Sequence, residues 1–170
     1  MIKKIFPKNI GTLNLSSLKN KTVIITGGAT GLGEKMAEHF SRNNAKTIIC
    51  SRNEDNLRNT TKNINDLNNN TNVDWIPVDV SNPKSVDNFY NEIESRGYEP
   101  DILINNAAGN FICKSEDLSP NAINRVIDIV LKGTINMTIP FSKNIINKEK
   151  YGSVLNISTL YASTGSGFVL

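Results

Sequence analysis

Short apolar runs alternate along this chain with longer amphipathic stretches. Val23-Ile24-Ile25 lies within a first predicted strand, Thr22 to Thr26, and Leu32 to Asn43 reads as a helix. Thr47 to Cys50 is a second strand, followed by a helix from Asn53 to Leu67 with Leu57, Ile64 and Leu67 on one face. Val73 to Val78 is a third strand, and Pro83 to Arg96 a helix whose proline suits a first turn. Asp101 to Ile104 is a fourth strand. From Pro120 to Asn147, Ile123, Val126, Ile127, Val130 and Leu131 recur at helical spacing, and Pro140 is expected to kink or interrupt that helix. Ser153 to Ser158 is a fifth strand. Apolar strands joined by helical crossovers predict an α/β fold, a doubly wound parallel sheet covered on both faces. The expected strand order is 3-2-1-4-5. No repeat or linker divides the chain, so 1–170 is read as a single domain with 1–17 as an N-terminal arm.

The first strand meets the first helix at Thr26-Gly27-Gly28-Ala29-Thr30-Gly31-Leu32-Gly33. Glycines let the backbone approach a ligand with no Cβ in the way. The helix N–H groups and dipole then face an anion. The spacing Gly27-x3-Gly31-x-Gly33 differs from G-x-G-x-x-G, and no Lys-Ser or Lys-Thr follows, which excludes a P-loop. Strand, glycines and amphipathic helix in this order predict a dinucleotide diphosphate at the turn; a bare strand-to-helix turn is the alternative. The second strand ends Cys50-Ser51-Arg52, where an acid would favour the ribose hydroxyls of NAD. Ser51 and Arg52 instead offer donors to the 2′-phosphate of NADP(H), unless Arg52 is an ordinary surface cation. Asp79 follows the third strand, placed to accept from an adenine amino group or merely to shape a turn.

Composition narrows the field. The net charge of +3 is spread along 170 residues and marks no nucleic-acid surface, though it mildly favours an anionic ligand. Asparagines crowd Asn63 to Asn72, where the second helix is expected to fray into a loop. Of the two cysteines, Cys50 is expected in the core and Cys113 in a loop, with no disulfide, which fits a reducing compartment. The single histidine, His39, belongs to the first helix, and no metal site is expected. No stretch is long and apolar enough for membrane insertion. Met1 to Lys8 is basic and lacks acids. It reads as a remnant of a mitochondrial targeting segment or as a packing arm, with cytoplasmic or peroxisomal placement as alternatives. Gly165 to Leu170 reads as a loop entering an apolar segment, as in a C-terminally truncated chain; a packed tail is the alternative.

Asn105-Asn106-Ala107-Ala108-Gly109 follows the fourth strand, with small residues that let the sugar–nicotinamide half of a dinucleotide cross the sheet edge. With the glycine turn, it resembles the short-chain dehydrogenase/reductase family, whose motifs are Thr-Gly-x3-Gly-x-Gly and Asn-Asn-Ala-Gly. The second motif here carries one extra alanine. The resemblance implies a Rossmann-like sheet, lacking the last strands and helices of the full family fold. It also implies cofactor contacts at Gly27, Gly28, Ala29, Thr30, Gly31, Leu32, Asn106 and Ala107, and a sheet-stabilising Asn105. The family's Asn–Ser–Tyr–Lys tetrad is altered. Its Asn position, three before Gly133, is Val130, and its Ser position is Thr159. The usual Tyr and Lys positions fall beyond Leu170. On residue pattern alone, Tyr161 is either a structural tyrosine or a phenol on the same face as Thr159.

Asn106 to Ile112, Leu118 to Ala122, Asp128 to Leu131 and Tyr161 to Val169 are similar to mitochondrial-type 2,4-dienoyl-CoA reductases. In that subfamily the helix Asn is replaced and the active tyrosine lies early, at the position of Tyr161. The resemblance implies NADPH-dependent reduction of 2,4-dienoyl-CoA to trans-3-enoyl-CoA in unsaturated fatty-acid β-oxidation. Asn110 and Tyr161 would donate to the thioester oxygen, Thr159 keeps the family hydroxyl, and Phe111 and Ser119 would contact the acyl-CoA. A homotetramer is implied for the full-length form. The lysine that supports the tyrosine is expected beyond Leu170, so the 170-residue chain is expected to be inactive. A generic carbonyl reductase and a catalytically dead NADP-binding fragment are the alternatives.

Overall fold

Three apolar residues at the heart of β1 (Thr22–Thr26) split the molecule into its two layers. Successive strand side chains point to opposite faces. Ile24 packs with Leu103, Phe89, Met137 and Phe141 on one side of the sheet. Val23 and Ile25 pack with Ala37, Leu57 and Ile64 on the other. The computed structural model describes residues 18–110 and 113–159; the N-terminal arm and the segment from 160 onward lie outside these.

The elements after β1 are α1 (Gly31–Arg42), β2 (Lys46–Ser51), α2 (Glu54–Asn68), β3 (Val73–Pro77), α3 (Pro83–Ser95) and β4 (Ile102–Asn105). A short 3-10 turn, Ser115–Asp117, leads to α4 (Pro120–Val126), a π-helical segment Ile127–Lys132, α5 (Gly133–Asn147) and β5 (Ser153–Asn156). All strand pairs are parallel, in the order β3-β2-β1-β4-β5. This is the expected Rossmann-like arrangement, with the glycine turn at the point where the strand order reverses.

Some expectations change. The long C-terminal helix is irregular at Ile127–Lys132, upstream of Pro140, and α5 runs through Pro140. The π segment shifts the helical register, so the buried face is Ile129, Gly133, Met137 and Phe141. Val130 and Leu131, part of the apolar repeat read from the sequence, are exposed.

The asparagine-rich stretch leaves α2 for a short loop after Asn68, as expected, but its side chains hold that end in place. Asn69 ends α2 in the left-handed conformation. Asn65 exchanges two hydrogen bonds with the Val73 backbone, at 2.9 and 3.0 Å, and the Asn68 amide donates to the Glu38 carbonyl. Asparagine amides here replace an apolar seam by satisfying backbone groups that a loop would leave to water. For the same reason Leu67 is exposed, because Asn65 and Asn68 occupy the inward positions of that last turn. The face of α2 that is buried consists of Leu57, Thr60 and Ile64.

Candidate active site

The glycine turn and the loop after β4 are bonded to each other. Thr26 is buried, and its hydroxyl oxygen accepts from the N–H groups of Asn106 and Ala107, both at 2.9 Å. The Asn106 side chain donates back to the carbonyls of Thr26, at 3.0 Å, and Gly27, at 3.2 Å. Asn106 therefore holds the turn. Asn105 donates to Asn156 of β5 at 2.8 Å and to Thr138 of α5 at 3.0 Å, tying β4 to its neighbours.

Gly33 makes the turn possible by close approach. A Cβ there would lie 2.2 Å from the Gly27 carbonyl oxygen and 2.7 Å from the Asn106 amide nitrogen. Gly31 begins α1 at φ +57 with open space around its Cβ position, a conformation glycine adopts without penalty. Gly28 is packed inward against Ile49, and Leu32 is exposed on the first turn of α1.

The start of α1 differs from those of α2, α3 and α4. Side chains cap α2 (Asn53), α3 (Asn82) and α4 (Ser119). Thr30, at the N-cap of α1, makes no such bond. The first N–H groups of α1 thus have no side-chain acceptor, and the dipole adds partial positive charge at that point.

A cleft of about 520 Å³ opens above this helix end. Gly27, Ala29, Thr30, Ser51, Arg52, Asp79 and Ala107, all expected at the site, line it. The Ser51 hydroxyl is buried without a hydrogen-bond partner among the described residues. Arg52 is exposed and also borders a neighbouring cleft along β3. The carboxylate of Asp79 accepts from the Ser81 hydroxyl at 2.6 Å and from the Ser81 N–H at 3.0 Å. Burial alone would raise its pKa, but the Ser81 bonds, with Arg52 and Arg125 nearby, bring it below the usual carboxylate value. It is an ionised acceptor at neutral pH.

Among the described residues, an uncapped helix end, a buried hydroxyl without a partner and an exposed arginine line one cleft, a donor set that suits the phosphates of a dinucleotide. The residues present fit the group. Among the described residues, no cluster of side chains suits a metal ion, and no helix is long and apolar enough to cross a membrane.

Other expected residues stand further out. Asn110 continues the loop that begins at Asn106, and Thr159 lies past the end of β5, exposed. Ser119 is exposed and its hydroxyl accepts from the Ala122 N–H at 3.2 Å. Phe111 and Tyr161 lie outside the described residues. Sequence reading missed Asn53, Asn56, Val80 and Ile129 in the cleft wall. Asn53 carried a signal, an asparagine just ahead of a helix; Ile129 carried none, because the π segment sets its orientation.

A family model described as short chain dehydrogenase matches residues 21–169. The chain belongs to this family. It is 42% identical over 155 residues to an uncharacterized oxidoreductase of Caenorhabditis elegans, covering 91% of this chain and 49% of that protein. It is 38% identical over 170 residues to a protein of the same organism named "Probable 2,4-dienoyl-CoA reductase 3 [(3E)-enoyl-CoA-producing]", covering 99% of this chain and 55% of the relative. Among solved structures, a short chain dehydrogenase from Bacillus anthracis is 36% identical with a TM-score of 0.82, covering 89% of this chain and 62% of that one. The chain thus spans about half the length of the curated relatives it matches.

Proposed function

We propose that the cleft holds NADPH and that the protein reduces 2,4-dienoyl-CoA to trans-3-enoyl-CoA. The observation that carries the cofactor reading is the cleft wall itself, where the partnerless Ser51 hydroxyl and Arg52 stand beside the uncapped end of α1. Similarity to a relative named for dienoyl-CoA reduction supports the substrate. When bound, the cofactor supplies a hydride.

The chain's own contributions are binding and charge stabilisation. The α1 N–H groups and dipole take the diphosphate, and Ser51 and Arg52 take the 2′-phosphate. Asp79 accepts from the adenine amino group through its ionised carboxylate. Gly28, Gly31 and Leu32 shape the turn beneath the diphosphate, and Ala107 gives the nicotinamide half room to lie flat. Asn110 and Tyr161 donate to the thioester oxygen as negative charge gathers there, each worth about 3 kcal/mol in the transition state. Tyr161, neutral at physiological pH with a reference pKa near 10, supplies the proton to the substrate α-carbon directly or through a water. Thr159 supports the tyrosine, and Phe111 and Ser119 contact the acyl-CoA. A homotetramer and a mitochondrial location, the latter from the basic Met1 to Lys8, complete the reading.

The test is consumption of NADPH with 2,4-hexadienoyl-CoA by the purified protein. The expected product is heavier than the dienoyl thioester by two hydrogens. Reduction of simple carbonyl compounds, with no use of the dienoyl thioester, would overturn the substrate assignment.

A further inference from the structure

Thr60 sits on the buried face of α2 between Leu57 and Ile64. Its hydroxyl donates to the Ala29 carbonyl at 2.8 Å. Ala29 is in the middle of the glycine turn and lines the cleft. Asn106 pins the start of that turn from β4, and Thr60 pins its middle from α2.

We infer that Thr60 is a positioning residue for the cofactor. In a trans peptide the carbonyl and the following N–H point in opposite directions. Holding the Ala29 carbonyl toward α2 therefore turns the Thr30 N–H away from α2, toward the uncapped end of α1. Without the bond, the Ala29–Thr30 peptide is free to rotate, and the N–H loses its aim at the diphosphate.

The helix that supplies this bond is well anchored. Leu57 and Ile64 are buried, Asn65 clamps Val73, and Asn68 donates to Glu38. The first turn of α2 also brings Asn53 and Asn56 to the cleft wall. One rigid helix thus sets both the diphosphate turn and the wall beside Ser51 and Arg52. The inference rests on the NADPH reading of the cleft.

Two variants and one exchange measurement test it on the full chain. Thr60→Val keeps the shape and removes the donor, whereas Thr60→Ser keeps the donor. NADPH titration is expected to show about tenfold weaker binding for Thr60→Val and a change within about twofold for Thr60→Ser. Wild-type affinity in Thr60→Val, with only a lower urea midpoint, would reduce Thr60 to a structural residue and overturn the inference. Amide exchange in the wild-type protein serves if Thr60→Val does not fold. NADPH is expected to slow exchange at the Thr30 N–H, and unchanged exchange there in the saturated protein would overturn the inference. If the wild-type chain binds neither NADPH nor NADH, the cofactor reading itself fails.

Discussion

Thr26 and Asn106 are bonded to each other twice: the Asn106 N–H donates to the Thr26 hydroxyl oxygen at 2.9 Å, and its side-chain amide to the Thr26 carbonyl at 3.0 Å. This joint fixes the turn after β1 against the loop after β4. Thr26→Val keeps the shape but leaves the Asn106 and Ala107 N–H groups without their acceptor. We expect a loss of about 2–3 kcal/mol in urea denaturation. Thr26→Ser, which loses only a methyl group, should cost about 1 kcal/mol.

Gly33 and Gly31 should respond very differently to alanine. At Gly33 the new methyl group collides with the Gly27 backbone, so the turn cannot keep its shape. Gly33→Ala is expected to abolish NADPH binding. At Gly31 the space is open and only the positive φ is penalised, by about 1–2 kcal/mol. Gly31→Ala should therefore unfold at lower urea yet still bind NADPH. Fluorescence titration of both variants checks the contrast.

Arg52 is expected to select between the two dinucleotides. Removing a charge-assisted contact to the 2′-phosphate costs about 1.5–3 kcal/mol, which is at least tenfold in affinity. Arg52→Ala should weaken NADPH by about that factor and leave NADH within about twofold. An equal loss for both cofactors would assign Arg52 to general electrostatics.

Charge also governs stability in acid. Burial works to raise the Asp74 pKa, but the Tyr98 hydroxyl, the Trp75 N–H and Arg96 together bring it below its ordinary value. Tyr98, by burial and by the same bond, is pushed up to about 12 and remains a neutral donor. A lowered carboxylate pKa stabilises the fold above the unfolded value, near 4, and that contribution disappears as pH falls through the lower folded value. Tyr98→Phe should cost about 1–2 kcal/mol at neutral pH and move the acid unfolding midpoint to higher pH. Circular dichroism across an acid titration measures both.

Among the described residues, the two edges of the sheet are treated differently. On β3, Asn65 occupies both backbone groups of Val73, Asp74 accepts from the Trp75 N–H, Arg96 donates to the Trp75 carbonyl, and Pro77 has no N–H. These contacts block strand addition. On β5, Val154 and Leu155 are 41% and 50% exposed. The 170-residue polypeptide is therefore expected to self-associate through β5. Val154→Lys should shift it toward monomer in light scattering, and a variant that associates as strongly as wild type would locate the contact elsewhere.

The strand order, the glycine turn and about half of the cleft wall were legible in the sequence, because each rests on local chemistry: an apolar run, a glycine, a donor pair after a strand. What was hidden depends on register or on distant partners. The π segment rotated Ile129 into the cleft wall and left Val130 and Leu131 exposed, and a period of 3.6 residues gives no warning of that. Asn65 clamps the next strand through Val73, a partner that local sequence does not reveal. Thr60 bonds an alanine 31 positions earlier, a pairing that only the fold creates.

The central claim, that this cleft is built for the phosphorylated dinucleotide, is tested most directly by calorimetric titration of the purified chain with NADPH and with NADH. The account predicts one site that binds NADPH at least about tenfold tighter than NADH, the free-energy difference of roughly 1.4 kcal/mol that the Ser51 and Arg52 contacts supply. Equal or tighter binding of NADH, or no binding of either, would contradict it.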